Sequence, residues 1–104
     1  MMQLDPPLQQ FRSAIEQHYG DNIQRLVLFG SRARGEATDD SDYDLALFLR
    51  NFSDRWREKA FILPIELKIM DETGAVLNTI PFAENAFEQR TPLMYAIRSE
   101  GIDI

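Results

Sequence analysis

Cysteine is absent from this 104-residue sequence, so neither a disulfide framework nor a thiolate metal site can hold the fold together. Histidine occurs once: His18 has no second histidine to share a metal with, and a surface or helix-end role is expected of it. No apolar run approaches the roughly 20 residues that a membrane span requires, so no membrane association is expected. The opening Met1-Met2-Gln3-Leu4-Asp5 has neither the basic nor the apolar region of a secretion signal. Together with the missing cysteine, this points to a reducing cytoplasm. Positive charge is short as well, with 11 Lys and Arg against 17 Asp and Glu and a net charge of −6. Long nucleic acids are gripped largely through Lys and Arg at phosphates, so long DNA or RNA is not an expected partner. An acidic surface suits a basic protein partner and serves solubility equally well.

What is present is ordinary for a globular fold: 44% hydrophobic and 27% charged residues. Residues 1–104 are read as one domain, close to the smallest size that buries a core without staples. Asp5 and Pro6 form a helix start, after which Leu8, Phe11, Ile15 and Tyr19 recur at helical spacing up to Gly20. Arg25 to Phe29 is a short apolar run closed by Gly30, the pattern of a buried strand, and Gly35 to Ser41 reads as loop. From Tyr43, the run Asp44-Leu45-Ala46-Leu47-Phe48-Leu49 is apolar on both faces except at Asp44, which predicts a central strand. Ser53 is expected to cap a second helix carrying Trp56, Ala60, Leu63, Leu67 and Met70, kinked at Pro64 and ended by Gly74. Val76 to Phe82 forms a third strand, Thr91-Pro92 starts a last helix through Ile97, and Ile102-Asp103-Ile104 can pair at a sheet edge. Trp56, Phe61, Phe87, Met94 and Tyr95 are expected in the core, with any surplus left as partner surface. Alternating helices and strands define an α/β fold, a small mixed β-sheet with helices packed on it.

The chemistry concentrates between Gly30 and Asp44. Asp42 and Asp44 lie two apart at the start of a strand, so their carboxylates share a face. Such a pair can hold Mg2+, which prefers hard oxygen ligands and completes its shell with substrate phosphates. Gly30 and Ser31 sit at a reversal after a buried strand, where backbone N–H groups and the Ser31 hydroxyl can point at a phosphate. Arg32 and Arg34 either meet a triphosphate or are solvated surface charges. A Gly-Ser turn and an Asp-x-Asp pair are each common, but their spacing between two buried strands is the specific signal.

In Leu28-Phe29-Gly30-Ser31-Arg32-Ala33-Arg34-Gly35 and Ser41-Asp42-Tyr43-Asp44-Leu45, the sequence resembles the polymerase-beta-type nucleotidyltransferase superfamily, and within it the stand-alone minimal nucleotidyltransferases. The resemblance implies a mixed sheet, Mg2+ dependence and ATP as substrate. It places Gly30 and Ser31 at the triphosphate and Asp42 and Asp44 at the metal, so that Asp42, Asp44 and Ser31 are expected to carry catalysis, with Arg32 and Arg34 kept as candidates for the nucleotide from their charge beside the turn. It further implies an antitoxin whose partner is a HEPN-type ribonuclease toxin and which transfers AMP to a tyrosine of that toxin.

One departure stands out. The superfamily usually carries a third carboxylate on the strand after the second helix, and Val76 to Phe82 contains none; Asn78 is the expected occupant of that position. An amide is an uncharged and poorer metal ligand and cannot accept a proton from an attacking hydroxyl. Two functions therefore compete: an enzyme that adenylylates its partner, and a nucleotidyltransferase fold that neutralises the partner by binding alone.

Overall fold

The structure, a computed structural model, describes residues 4–104; the reading of the first three residues lies outside it. Helix α1 runs Pro6–Tyr19, with prolines in its first turn, where a missing N–H breaks no helical bond. Asp5 stands at the N-cap, and its carbonyl accepts the N–H groups of Leu8 and Gln9. Its side chain does not cap the helix; it accepts the Tyr43 hydroxyl at 2.8 Å. Gly20 closes α1 at a positive φ of 53°, in a conformation that glycine adopts at little steric cost.

Strand β1 covers Ile23–Phe29 and β2 covers Tyr43–Leu49; they pair antiparallel. Helix α2, Arg55–Thr73, crosses back and delivers β3, Leu77–Ala83, parallel to β2. A short 3-10 turn at Glu84–Glu88 leads to helix α3, Pro92–Glu100, capped by the Thr91 side chain. The tail strand β4, Ile102–Asp103, pairs antiparallel with β1, as its sequence suggests. The sheet order is β3-β2-β1-β4. β2 is interior, which is why both of its faces are apolar.

The alternation along β2 divides the core in two. Leu45, Leu47 and Leu49 point into a cluster with Phe11 and Ile15 of α1 and Ile62 and Ile69 of α2. Ala46 and Phe48 point the other way, into a smaller cluster with Val27, Ala86, Met94 and Ile97. Every one of these side chains is buried, and the two clusters supply most of the driving force available to a chain of this size.

Helix α2 differs from expectation in its cap and in the face it buries. Its N-cap is Asp54, whose carboxylate accepts the Arg57 N–H at 2.9 Å. Ser53, the expected cap, instead gives its N–H to Glu58 at 3.2 Å. The helix runs through Pro64 and ends at Thr73 with Gly74 as its cap, as its sequence suggests. Most consequentially, the buried face is Glu58, Ile62, Glu66 and Ile69, whereas Trp56, Ala60, Leu63, Leu67 and Met70 are exposed. The hydrophobic pattern misled because two acids sit on the sheet side, each kept there by partners. Glu58 accepts Tyr19 Oη at 3.1 Å. Burial, together with this bond, pushes the Tyr19 phenol above its ordinary range.

Glu66 also explains how edge strand β3 is protected. Its Oε2 accepts the Thr79 N–H at 2.8 Å, and Lys59 Nζ donates to the Thr79 carbonyl at 2.8 Å and to Glu66 Oε1 at 2.7 Å. Two side chains of α2 thus stand in for a neighbouring strand, and Pro81 on β3 has no donor to offer one. The side chains expected in the core divide. Met94 is buried and Phe87 packs edge-on against Phe48, while Trp56, Tyr95 and Phe61 are 87%, 70% and 46% exposed.

The buried face of α2 is testable with neighbouring residues. Ile62→Ala should cost about 2–5 kcal/mol in urea denaturation, whereas Leu63→Ala in the monomeric protein should cost under about 1 kcal/mol.

Candidate nucleotide site

The site forms where β1 ends and β2 and β3 begin. The β1–β2 register sets Phe29 opposite Asp44, and the β2–β3 register sets Asp44 opposite Asn78. Residues 30–42 therefore leave the sheet beside Asp44 and return to it there.

Gly30 has φ 76°, and a Cβ added to it would run into the Asp44 carboxylate. Both conditions call for glycine. Its carbonyl accepts the N–H groups of Ala33 and Arg34 at 3.1 and 3.2 Å, winding residues 30–36 into a helix-like turn. Among the described residues, the N–H groups of Ser31 and Arg32 have no hydrogen-bond acceptor. The turn thus presents unpaired donors beside the Ser31 hydroxyl, the arrangement suited to phosphate oxygens.

Asp44 is half-buried, whereas Asp42 is exposed. Burial raises the Asp44 carboxyl above its ordinary pKa, the Asp42 charge adds to the rise, and Arg34 opposes it. Asn78 completes the group: its Nδ2 donates to Asp42 Oδ2 at 3.0 Å. The residue expected in place of a third carboxylate therefore does stand beside the pair, on the adjacent strand. Among the described residues, no cluster of three or more Asp, Glu, His or Cys side chains could hold a metal ion. The donor set, two carboxylates sharing a face with an amide beside them, fits a cation that takes its other ligands from water and phosphate. It does not supply the charge of a three-carboxylate site.

The two arginines take different parts. Arg32 turns back onto the loop, donating from Nε and Nη2 to the Ser41 carbonyl at 2.9 and 2.7 Å, with its guanidinium 3.9 Å from the Tyr43 ring centroid. Its role in this geometry is to hold the loop closed. Arg34 pairs with Glu36 at 3.3 Å and Glu100 at 3.1 Å, near enough to Asp44 to act on its ionisation. These acceptors hold the exposed Arg34 guanidinium more firmly protonated than usual. Sequence reasoning missed Tyr43 and Asp5: the Tyr43 ring lies under Arg32 and its hydroxyl reaches Asp5, tying the loop to the start of α1. A tyrosine between two aspartates carries no signal of that long-range bond. His18 packs against Phe61 at the end of α1 and takes no part in the site.

The site is an open strand-end surface. Asp42 also borders a cleft of about 540 Å³ lined by Asp5, Arg32, Asp39 and Asp40. A cleft of about 600 Å³ lies elsewhere, between α1 and the β1–β4 edge, around Arg12, Gln24 and Asp103. It lacks the paired acids and the free turn.

A mixed sheet with a glycine turn ending one strand and paired aspartates opening the next defines a nucleotidyltransferase domain. The chain belongs to the family described as Polymerase beta, Nucleotidyltransferase, whose sequence model matches residues 9–104. A Methanocaldococcus jannaschii protein, assigned provisionally by name to the protein adenylyltransferases, is 27% identical over 89 residues, covering 86% of this chain and 83% of that protein. A solved structure described provisionally as a minimal nucleotidyltransferase superposes with a TM-score of 0.61 at 21% identity, covering 99% of this chain and 97% of the other. A crystal structure of a toxin–antitoxin with AMP-PNP matches with a TM-score of 0.60 at 18% identity, over 89% of this chain and 68% of that one. A structure of a tri-AMPylated Shewanella oneidensis HEPN toxin in complex with MNT antitoxin matches at 0.55 and 14% identity, over 93% of this chain and 70% of that one. At these identities the structural likenesses establish the fold. Among the described residues, no helix is long and apolar enough to cross a membrane.

The raised Asp44 pKa has a defined consequence for stability. Folding favours the protonated form, so this contribution is full below the ordinary carboxylate pKa and is lost as pH rises through the raised value. In metal-free protein, Asp44→Asn should therefore raise Tm at neutral pH. The gap from wild type should close in acid, where both side chains are neutral; a lower Tm for the variant at neutral pH would contradict the assignment.

Proposed function

We propose that this chain binds Mg-ATP between the Gly30–Ser31 turn and the Asp42–Asp44 pair, and transfers AMP to a tyrosine of a cognate HEPN-type toxin, thereby neutralising it. The observation that carries this reading is the meeting, at one strand end, of unpaired turn N–H groups with two carboxylates on a common face. Ser31 and the turn receive the phosphate oxygens, and Gly30 lets the turn approach Asp44. Bound Mg2+ supplies charge neutralisation at the phosphates and on departing pyrophosphate. Asp42 and Asp44 are the residues that would hold the metal. The acceptor oxygen forms a bond to the α-phosphorus as the bond to pyrophosphate breaks, and the acceptor proton passes to solvent water. Arg32 positions the loop, and Arg34 balances the charge of Asp44.

The acceptor is argued from the chain's surface and its relatives. The open site and the acidic surface suit an acceptor carried in by a basic protein, and relatives of this fold include an antitoxin seen with a tri-AMPylated toxin. Asn78 favours a second reading, neutralisation by binding alone, because an amide beside Asp42 accepts no proton and adds no charge to hold a second metal.

ATP binding should require divalent metal and disappear in Asp42→Asn/Asp44→Asn; calorimetry with and without Mg2+ measures both. Intact-mass measurement of the toxin after incubation with Mg-ATP separates the two readings. Added AMP with wild type, and none with the double variant, is the expected outcome. No added mass, together with equal neutralisation by both forms, leaves binding alone.

Asn78→Asp should raise the transfer rate about tenfold or more, in line with the weight of a placed general base, with ATP affinity nearly unchanged. Single-turnover kinetics on the folded variant checks this, and a slower rate would show that Asn78 does not fill the missing position.

A further inference from the structure

We propose that the exposed ridge of α2 is a self-association surface, pairing antiparallel with α2 of a second copy of this chain. The inference is independent of the nucleotide reading. It begins from apolar residues of α2 that lie outside the core: Trp56, Leu63, Leu67 and Met70 are 87%, 45%, 49% and 41% exposed, with Ala60 exposed among them. Trp56, Ala60, Leu63, Leu67, Met70 and Gly74 follow one another at steps of four, three, four, three and four residues. That alternation is the seam of a two-helix coiled coil, and a helix face that merely meets solvent has no reason to keep it. At a rise of about 1.5 Å per residue, the 19-residue helix offers a ridge of about 28 Å. This is close to the 32 Å long axis of the molecule.

A second copy is the occupant because the ridge complements itself. Set antiparallel about a two-fold axis near Ile65, Leu63 of one copy meets Leu67 of the other, Ala60 meets Met70, and Trp56 overlies Gly74. A large side chain falls against a small one in the two outer layers, and the leucines meet each other in the central one. The flanking charges agree: Arg57 lies near the start of α2 and Asp71 near its end, and among the described residues neither side chain makes an ion pair. Antiparallel pairing brings Arg57 of each copy toward Asp71 of the other, whereas parallel pairing would set like charges together. Lys59 and Glu66, on the other flank, are already satisfied by one another and by Thr79, so they ask nothing of a partner. The contact is isologous and closes as a dimer. α2 packs on the sheet face that carries Leu45 and Leu47, while Asp42 and Asp44 belong to the opposite face, so pairing leaves the nucleotide site open.

Sedimentation of the isolated chain over a concentration series tests the proposal. The wild type should dimerise with concentration, with a blue shift of Trp56 fluorescence on association. Leu63→Glu/Leu67→Glu should be monomeric with unchanged circular dichroism, both positions being half-exposed in the single chain. Arg57→Asp and Asp71→Arg should each weaken dimerisation at least about tenfold, and mixing these two single variants should restore it, because each then offers the sign that the other lacks. A wild type monomeric at every concentration would overturn the proposal, as would a dimer indifferent to Leu63→Glu/Leu67→Glu or a mixture that does not re-form. A monomeric wild type whose toxin complex is lost on Leu63→Glu/Leu67→Glu would assign the ridge to the toxin instead.

Discussion

The antiparallel register of β1 on β2 is the constraint from which the rest of the molecule follows. Setting Phe29 against Asp44 makes the chain leave the sheet at Gly30 and re-enter it at Tyr43. The turn and the paired acids must then meet. A slip of one residue would send Asp44 into the cluster of Phe11, Ile15 and Ile62, and would bring Leu45 to the site. Burial of Leu45, Leu47 and Leu49 on one side and of Ala46 and Phe48 on the other makes such a slip expensive. The packing of the core therefore specifies the geometry of the site.

The loop between the strands has little apolar material of its own and is held by polar contacts instead. Arg32 binds the carbonyl of Ser41 while lying over Tyr43, and Tyr43 in turn reaches Asp5 before α1. Burial and the Asp5 bond raise the Tyr43 phenol above its ordinary pKa, with Arg32 opposing them. It remains a hydroxyl that donates. Asp44 is a half-buried carboxylate beside another carboxylate, and Arg34 opposes the resulting rise in its pKa. Such a group is stabilised by whatever cation the site admits.

Helix α2 serves two surfaces with one sequence. Its sheet side carries Glu66, which replaces a missing strand at the edge of β3 and so holds Thr79 next to Asn78 in line. Its outer side carries the apolar ridge. A domain of this size has little interior to fill, and the apolar residues that a larger fold would bury are left for association. The two faces of the sheet are separate: α2 packs on the one that carries Leu45 and Leu47, and Asp44 lies on the other.

Much of this was legible in the sequence. Period-two alternation, glycine at the strand end and paired aspartates at the next strand's start are local signals, fixed by backbone geometry within a few residues. They suffice to locate the central strand, the turn and the acids, and the tail strand Ile102–Asp103 could be foreseen for the same reason. Contacts between distant residues were not legible. Nothing local distinguishes Glu66, buried against Thr79, from a solvated helical glutamate, or Arg32, committed to its own loop, from an arginine awaiting phosphate. The sequence by itself determined that α2 is a helix with an apolar stripe; only the tertiary structure decided that the stripe faces outward. Which side of a helix is buried is set by where the sheet lies and which acids find partners there, and hydrophobicity alone does not encode either.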